Sequence, residues 1–180
     1  MQLKLFRIAV LLLVVFVWRV PTTVFSAQPD ESQLKAVFVL NFAKLTEWPA
    51  DIHAEGNTFT ITILGKVPST TFINMLKGQT VHGASVTVKH IDNVRQAKDS
   101  QLLYVSESER HHLTAILKDI NQQNILTISD IAGFCEAGGM IGLVPVQSRL
   151  GFEVNVAAVR KTHLSVSSQL LKLARTIFGN

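Results

Sequence analysis

Short β-branched segments alternate with helical apolar patterns through most of this 180-residue chain, and no other feature constrains its fold as strongly. Residues 58–64 (TFTITIL) alternate in the way typical of a strand. The same reasoning predicts strands over 85–91, 102–105, 125–128, 140–146 and 149–155. Because strands separated by helices form parallel sheets covered on both faces, we predict a three-layer α/β/α sandwich with a mostly parallel sheet of about six strands.

The last two predicted strands are separated by a short turn, so they should form a C-terminal antiparallel hairpin. Pro145 cannot donate a backbone hydrogen bond, which favours a position of this hairpin at the edge of the sheet.

Four helices are predicted where apolar residues recur at helical spacing after a polar residue that can cap the helix. Two of them begin with the pattern of a capping box, at Asp30 with Gln33 and at Ser106 with Glu109. The first should end at Trp48 because Pro49 disfavours helix in the residue before it. The predicted helices follow Asp30, cover 70–76, follow Ser106 and follow Ser167, the last with apolar residues as far as Phe178.

The amino terminus has the pattern of a secretory signal peptide. Lys4 and Arg7 precede an apolar run over 8–18, and small residues follow at Ser26 and Ala27. A helix over this run would cover roughly half of the hydrocarbon core of a bilayer, which is too short to span it comfortably. We therefore expect residues 1–27 to be removed, by cleavage after Ser26 or Ala27, and residues 28–180 to form a single α/β domain in the periplasm. An uncleaved signal anchor is the alternative.

Charge gives no reason to expect a nucleic-acid ligand. The chain has 17 basic and 13 acidic residues, and the leader carries three of the basic residues and no acid, so the mature domain is almost neutral. Binding to nucleic acid needs a concentrated positive face, and no stretch supplies one. Cys135 is the only cysteine, so it cannot form an internal disulfide. We interpret it as a small buried apolar residue, with a redox role or an intermolecular bridge as the alternative.

The sequence contains no recognisable catalytic motif. It lacks a serine elbow, a phosphate-binding loop and a dinucleotide-binding glycine pattern. No nucleophile with its base can be proposed, which disfavours an exported hydrolase. Its six histidines lack zinc-type spacing, and the side chains of the neighbours His111 and His112 would diverge on a helix. We predict no enzymatic activity, no metal and no cofactor.

Polar and small residues follow the predicted parallel strands, where ligands bind in open sheets of this kind. They are Gly65, Ser106, Ser129 and Asp130, with Gly138 in a glycine-rich turn before the fifth strand. On the last predicted strand, Arg149 and Glu153 share one face and stand about 13 Å apart. We expect each of these two to meet an opposite charge from another element, as a structural ion pair.

An ordered set of short motifs resembles the YfiR-like family of exported bacterial proteins and spans about residues 34–177. The motifs are Lys35-Ala36, Phe42, Glu47-Trp48-Pro49, Ile63-Leu64-Gly65, Tyr104-Val105-Ser106, Leu126-Thr127-Ile128-Ser129-Asp130, Gly138-Gly139-Met140-Ile141, Phe152-Glu153-Val154-Asn155 and Leu170-Leu171-Lys172-Leu173-Ala174.

The resemblance implies a periplasmic α/β domain that binds the periplasmic region of an inner-membrane diguanylate cyclase or sensor kinase. Repression of such a cyclase lowers cyclic-di-GMP, and an outer-membrane lipoprotein can draw the repressor away and favour biofilm. Some members contain internal disulfides, which the lone Cys135 cannot form. A homodimer is also compatible with the resemblance.

Partner binding should depend on apolar or arginine anchors, for which the candidates are Trp48, Phe134, Arg149 and Phe152. Trp48 and Phe152 also suit the core, because large apolar side chains are usually buried. The alternative function is a periplasmic small-molecule-binding protein, either a ligand sensor or a transport component. It predicts a concave site near Ser106, Asp130 and Gly138.

Overall fold

The computed structural model describes residues 30–49, 57–147 and 149–179. The predicted signal peptide at 1–27 lies outside these ranges. Every helix within them is too short or too polar to serve as a transmembrane span.

Strands and helices alternate along the described ranges, as the sequence pattern predicts. The helices are α1 (Glu31–Lys44), α2 (Thr70–Leu76), α3 (Leu113–Asp119), α4 (Val156–Val159) and α5 (Ser168–Leu173), with 3₁₀ helices at Val94–Ala97 and Glu107–His112. The strands are β1 (Thr46–Glu47), β2 (Thr58–Leu64), β3 (Thr80–Val81), β4 (Ala84–Ile91), β5 (Leu102–Val105), β6 (Leu126–Ser129), β7 (Ile141–Val146), β8 (Arg149–Asn155), β9 (Ser165–Val166) and β10 (Thr176–Phe178).

Eight of these strands form one sheet in the order β10-β8-β7-β6-β5-β2-β4-β3. The five strands from β4 to β7 in this order run parallel to one another. β8 pairs antiparallel with β7, β10 pairs parallel with β8, and β3 pairs antiparallel with β4. The prediction of a mostly parallel sheet with a C-terminal antiparallel hairpin is therefore confirmed. The strand count is higher than the predicted six, and β1 and β9 form a separate two-stranded sheet.

Each face of the main sheet is covered by its own hydrophobic cluster, which confirms the three-layer arrangement. The strands contribute to both clusters because successive side chains point to opposite faces. In β5, for example, Leu102 and Tyr104 belong to the first cluster and Leu103 and Val105 to the second. Helices α1, α2, α4 and α5 cover the first face, and α3 with the 3₁₀ helix Val94–Ala97 covers the second.

The carboxyl terminus differs from the prediction of one long final helix. Ser167 caps α5 as predicted, accepting a hydrogen bond from the backbone N–H of Leu170 at 3.1 Å. The helix ends at Leu173, and Thr176–Phe178 instead forms β10. The backbone N–H of Arg175 already donates to Phe152 O at 2.9 Å, which begins the pairing with β8. β-Branched and aromatic residues then favour the strand.

The hairpin β7–β8 is consequently not at the edge of the sheet, because β10 covers β8. Pro145 is accommodated for another reason. β7 pairs with β6 only at Ile141 and Gly142, so its second half runs past the end of β6 and has no neighbour on that side. A proline there removes no ladder hydrogen bond to β6.

Neither predicted capping box forms. The side chains of Asp30 and Ser106 make no cap hydrogen bond. The backbone N–H of Ser106, which Glu109 would have to reach, already donates to Leu64 O at 3.0 Å. The chain after Ser106 therefore starts as a 3₁₀ helix, and α3 begins only at Leu113. α1 ends at Lys44 rather than at Trp48, because Thr46–Glu47 pairs with β9.

Candidate functional site

A cleft of about 730 Å³ lies beyond the carboxyl end of β6. Its walls are the first turns of α1, the 3₁₀ helix Glu107–His112 and the part of hairpin β7–β8 that runs past β6. The apolar lining residues are Leu34, Ala132, Leu143, Pro145 and Leu150. The polar and charged ones are Glu31, Lys35, Glu107, Arg110, Asp130, Gln147 and Arg149.

Lys35 joins helix α1 to the end of β6. Its Nζ donates to Asp130 Oδ2 at 2.6 Å and lies 2.8 Å from Glu31 Oε1. The side chains of Lys35 and Asp130 are only 14% and 18% exposed. Burial opposes the charge on Lys35, but the hydrogen bonds and charges of Asp130 and Glu31 outweigh it and raise the pKa of Lys35. Lys35 therefore stays protonated and holds two carboxylates at one wall of the cleft.

The turn after β6 aims the Asp130 side chain into the cleft. Ser129 Oγ donates to Val105 O at 2.7 Å and accepts from the backbone N–H of Ile131 at 3.0 Å. These two bonds fix the chain on both sides of Asp130.

Tyr104 lies beneath this turn on the buried side. Its hydroxyl and Asp130 Oδ1 are both buried, and neither has a hydrogen-bond partner among the described residues. Burial, and then the negative charge of Asp130, raise the pKa of Tyr104. Tyr104 is therefore a neutral phenol next to a carboxylate that is already committed to Lys35.

The two arginines of the cleft differ in their partners. Arg110 is held by Glu107, whose Oε1 accepts from Arg110 Nε at 2.7 Å and lies 2.6 Å from Nη2. The side chain of Arg149 is exposed, and within the described ranges it has no hydrogen bond and no ion pair. The structural ion pairs predicted for Arg149 and Glu153 are accordingly not seen in the part of the chain that the structure describes.

The crevice between the carboxyl ends of β2 and β5, where the strand order reverses, is not part of the cleft. The 3₁₀ helix Glu107–His112 fills this position: the backbone N–H of Lys66 donates to Ser108 Oγ at 2.9 Å. A Cβ at Gly65, which has φ +83°, would overlap with Ser108 and Glu109. Ser106 is itself buried. Of the polar residues predicted at the strand ends, only Asp130 lines the cleft.

The other predicted site residues are dispersed. Trp48 is half-buried, donates from Nε1 to Gln101 O at 3.2 Å, and stacks edge-on against Phe59. Since Gln101 precedes β5, Trp48 lies at the amino-terminal edge of the parallel strands, opposite the cleft. Gly138 is on that side too, in a small depression with Thr127 and Met140. The predicted concave site near Ser106, Asp130 and Gly138 is therefore not assembled as one surface.

The two predicted phenylalanine anchors are buried. Phe134 belongs to the second hydrophobic cluster and Phe152 to the first. The Phe152 ring lies 4.9 Å from that of Phe42 and 5.9 Å from that of Phe38. Both phenylalanines occupy core positions.

Cys135 is buried against the paired strands β7 and β8, next to Gly142 and Glu153. Its single S–H can donate to the main-chain oxygen of Met140 or to that of Glu153, which lie 3.7 and 3.5 Å from Sγ. Burial raises its pKa to about 12, so the thiol is neutral at ordinary pH. The interpretation as a small buried residue agrees with this position.

Sequence reasoning missed Lys35, Glu31 and Arg110 as cleft residues. The spacing of Glu31 and Lys35 is a visible signal of a helical ion pair. The contact of Lys35 with Asp130, 95 residues away, has no local signal. Within the described ranges, no group of three or more His, Cys, Asp or Glu side chains is placed to hold a metal ion.

The fold and cleft define a class of open-sheet, three-layer α/β domains that carry a charged cleft beyond the strand ends. The chain belongs to the YfiR/HmsC-like family, whose family model matches residues 32–175. Members of this family are periplasmic, non-catalytic regulatory proteins that act in cyclic-di-GMP signalling and interact with periplasmic sensor proteins. The resemblance found in the sequence motifs is thereby confirmed.

Comparison with curated proteins gave no match. Among solved structures, the chain is similar to the ABC domain in complex with L-Trp from Streptococcus pneumonia, with a TM-score of 0.56 and 11% identity. The match covers 79% of this chain and 60% of that one, so the present chain spans three-fifths of the compared structure. At this identity the likeness shows a shared fold alone.

Proposed function

We propose that this protein is a non-enzymatic periplasmic regulator that binds the periplasmic sensor region of an inner-membrane signalling protein. The signalling protein would be a diguanylate cyclase, which the regulator represses, so that cyclic-di-GMP falls. The single observation that supports the proposal most is membership of the YfiR/HmsC-like family over residues 32–175. The predicted signal peptide at 1–27 is consistent with the compartment.

Among the candidate contact residues, we favour Arg149, because it is exposed and its side chain is unpaired among the described residues. It lies on the rim of a cleft whose walls include apolar residues, and such a combination is typical of partner contacts. Trp48 is the candidate on the opposite edge, but its indole is already engaged with Gln101 and Phe59. Phe134 and Phe152 would act by supporting the fold.

Deletion of the gene tests this proposal directly. In a strain that expresses the cyclase, deletion should raise cellular cyclic-di-GMP, measured by mass spectrometry, and the intact gene should restore the low level. A matched variant lacking residues 2–27 should fail to restore it, because the protein would remain on the wrong side of the membrane. An unchanged level in the deletion strain would refute repression.

An outer-membrane lipoprotein that captures the regulator is a further proposed partner. Overexpression of such a lipoprotein should raise cyclic-di-GMP only in cells that contain the regulator. The same rise in the deletion strain would exclude capture as the mechanism.

A second candidate function is binding of a small molecule, and the cleft is the observation that favours it. Its volume is in the range of ligand sites, roughly 300–1,000 Å³. Screening by thermal unfolding tests it, because a ligand at 100 times its dissociation constant adds about 2.7 kcal/mol of stability. No shift with a broad set of periplasmic metabolites would count against this function.

A further inference from the structure

Three cations and three carboxylates line the cleft, and one of the cations has no partner among the described residues. Glu31 and Asp130 are both committed to Lys35, at 2.8 and 2.6 Å. Glu107 is paired with Arg110 through a single oxygen, Oε1, which contacts both Nε and Nη2 of the guanidinium. Arg149 alone has no partner for its side chain within the described ranges.

The unpaired guanidinium adjoins an apolar wall. Leu143, Pro145 and Leu150 come from the same hairpin as Arg149, and Leu34 faces them from α1. Leu143 is buried, whereas Leu34 and Leu150 are half-buried and so retain apolar surface that a ligand can cover. Guanidinium groups bind carboxylates with two parallel hydrogen bonds, which makes the pairing strong and directional.

From this arrangement we infer that the cleft binds an amphiphilic monoanion, an alkyl or aryl monocarboxylate, with its carboxylate on Arg149 and its apolar body on the Leu34–Leu143–Leu150 wall. The inference rests on the second candidate function and names its ligand class.

Two probes of one skeleton test this assignment by titration calorimetry. They are 3-phenylpropanoate and its neutral amide. We expect 3-phenylpropanoate to bind saturably and the amide to bind at least about tenfold more weakly, because the amide cannot form the charge-assisted hydrogen bonds to Arg149.

The matched variants are Arg149→Gln and, as control, Arg95→Gln. Arg95 is exposed on the 3₁₀ helix Val94–Ala97 and does not line the cleft. Arg149→Gln should lower the affinity for 3-phenylpropanoate at least about tenfold, and Arg95→Gln should leave the affinity unchanged. Arg149→Lys keeps the charge but loses the geometry for two parallel hydrogen bonds, so its affinity should lie between those of the other two variants. It provides a second measurement if Arg149→Gln folds poorly.

Equal affinity for 3-phenylpropanoate and its amide would overturn the assignment of a carboxylate but leave small-molecule binding intact. Binding of 3-phenylpropanoate that survives Arg149→Gln would place the ligand elsewhere and also overturn it. Absence of binding by both probes at about 10 mM, which would detect even weak millimolar affinity, would refute the assignment. A ligand of another class found by the thermal screen would then still support the second candidate function.

Discussion

Gly139 packs so closely against the ring of Phe134 that a Cβ at this position would overlap with three ring atoms. Phe134 is held by the second hydrophobic cluster, so it has little room to move. A glycine is therefore required at position 139, because the backbone passes too close to the Phe134 ring for any side chain to fit. Phe134 itself is fully buried, so its ring offers no surface to a partner.

Gly139→Ala should lower the free energy of unfolding by about 1–3 kcal/mol because it overpacks the core. Urea unfolding measures this loss. Gly142→Ala is the matched control, since its Cβ would meet Cys135 Sγ at an ordinary 3.4 Å. Adding Phe134→Leu to Gly139→Ala should cost less than the sum of the two single changes. Strict additivity would show that the ring is not the obstacle.

Because the thiol of Cys135 is buried, the free energy of unfolding should depend on pH in the alkaline range. Its pKa rises from 9.0 to about 12 on folding, so the neutral thiol stabilises the native state fully below pH 9, and this contribution is lost as the pH rises towards 12. Between pH 7 and pH 10 the free-energy difference between the wild type and Cys135→Ala should shrink by about 1.4 kcal/mol.

Urea unfolding of both proteins at the two pH values measures this change. Ionisation of Tyr104 in the unfolded state occurs in both and cancels in the comparison. A difference that stays constant between pH 7 and pH 10 would show that Cys135 ionises equally in the folded and unfolded states.

At the scale of secondary-structure elements, Lys35 fastens α1 to the end of β6. Lys35→Met should leave Asp130 partly buried without its cation and lower the free energy of unfolding by about 1–3 kcal/mol. Lys44→Met, at the exposed last turn of the same helix, is the control and should cost less than about 0.5 kcal/mol. Equal losses for the two variants would mean that the contact with Asp130 contributes nothing specific.

Elements with a strong local pattern could be predicted from the sequence. β2 and β5 are examples. The β-branched alternation of β2 indicates a strand, and the continuous apolar run of β5 also indicates that both of its faces are buried. Residues 174–178 could not be predicted, since their apolar residues suit a helix or a strand. Pairing with β8, which is remote in sequence, decides between the two.

The candidate site was predictable to a similar extent. Asp130 follows a buried strand, so its place at the carboxyl edge follows from the fold, and Arg149 could be recognised as a charge on the hairpin. Ser106 and Gly65 look equivalent in the sequence. They are excluded from the cleft because the chain after Ser106 folds back onto Gly65, and Lys35 reaches Asp130 only through tertiary packing.

For the whole molecule, the aromatic cluster of Phe38, Phe42 and Phe152 connects α1 to the hairpin that forms the opposite wall of the cleft. Phe152 thus holds the two walls in place without lining the cleft itself. Its contribution to regulation should come through the fold, in contrast to that of Arg149, which is exposed on the cleft surface.

Phe152→Ala should lower the free energy of unfolding by about 3–5 kcal/mol, because it removes a ring from the core. Repression of the cyclase should fall only in proportion to the unfolded fraction, as measured by cyclic-di-GMP and by thermal unfolding of the purified variant. Phe152→Leu keeps most of the volume and should retain both stability and repression. If Phe152→Leu folds normally but no longer represses, Phe152 contacts the partner directly and does not act through the core.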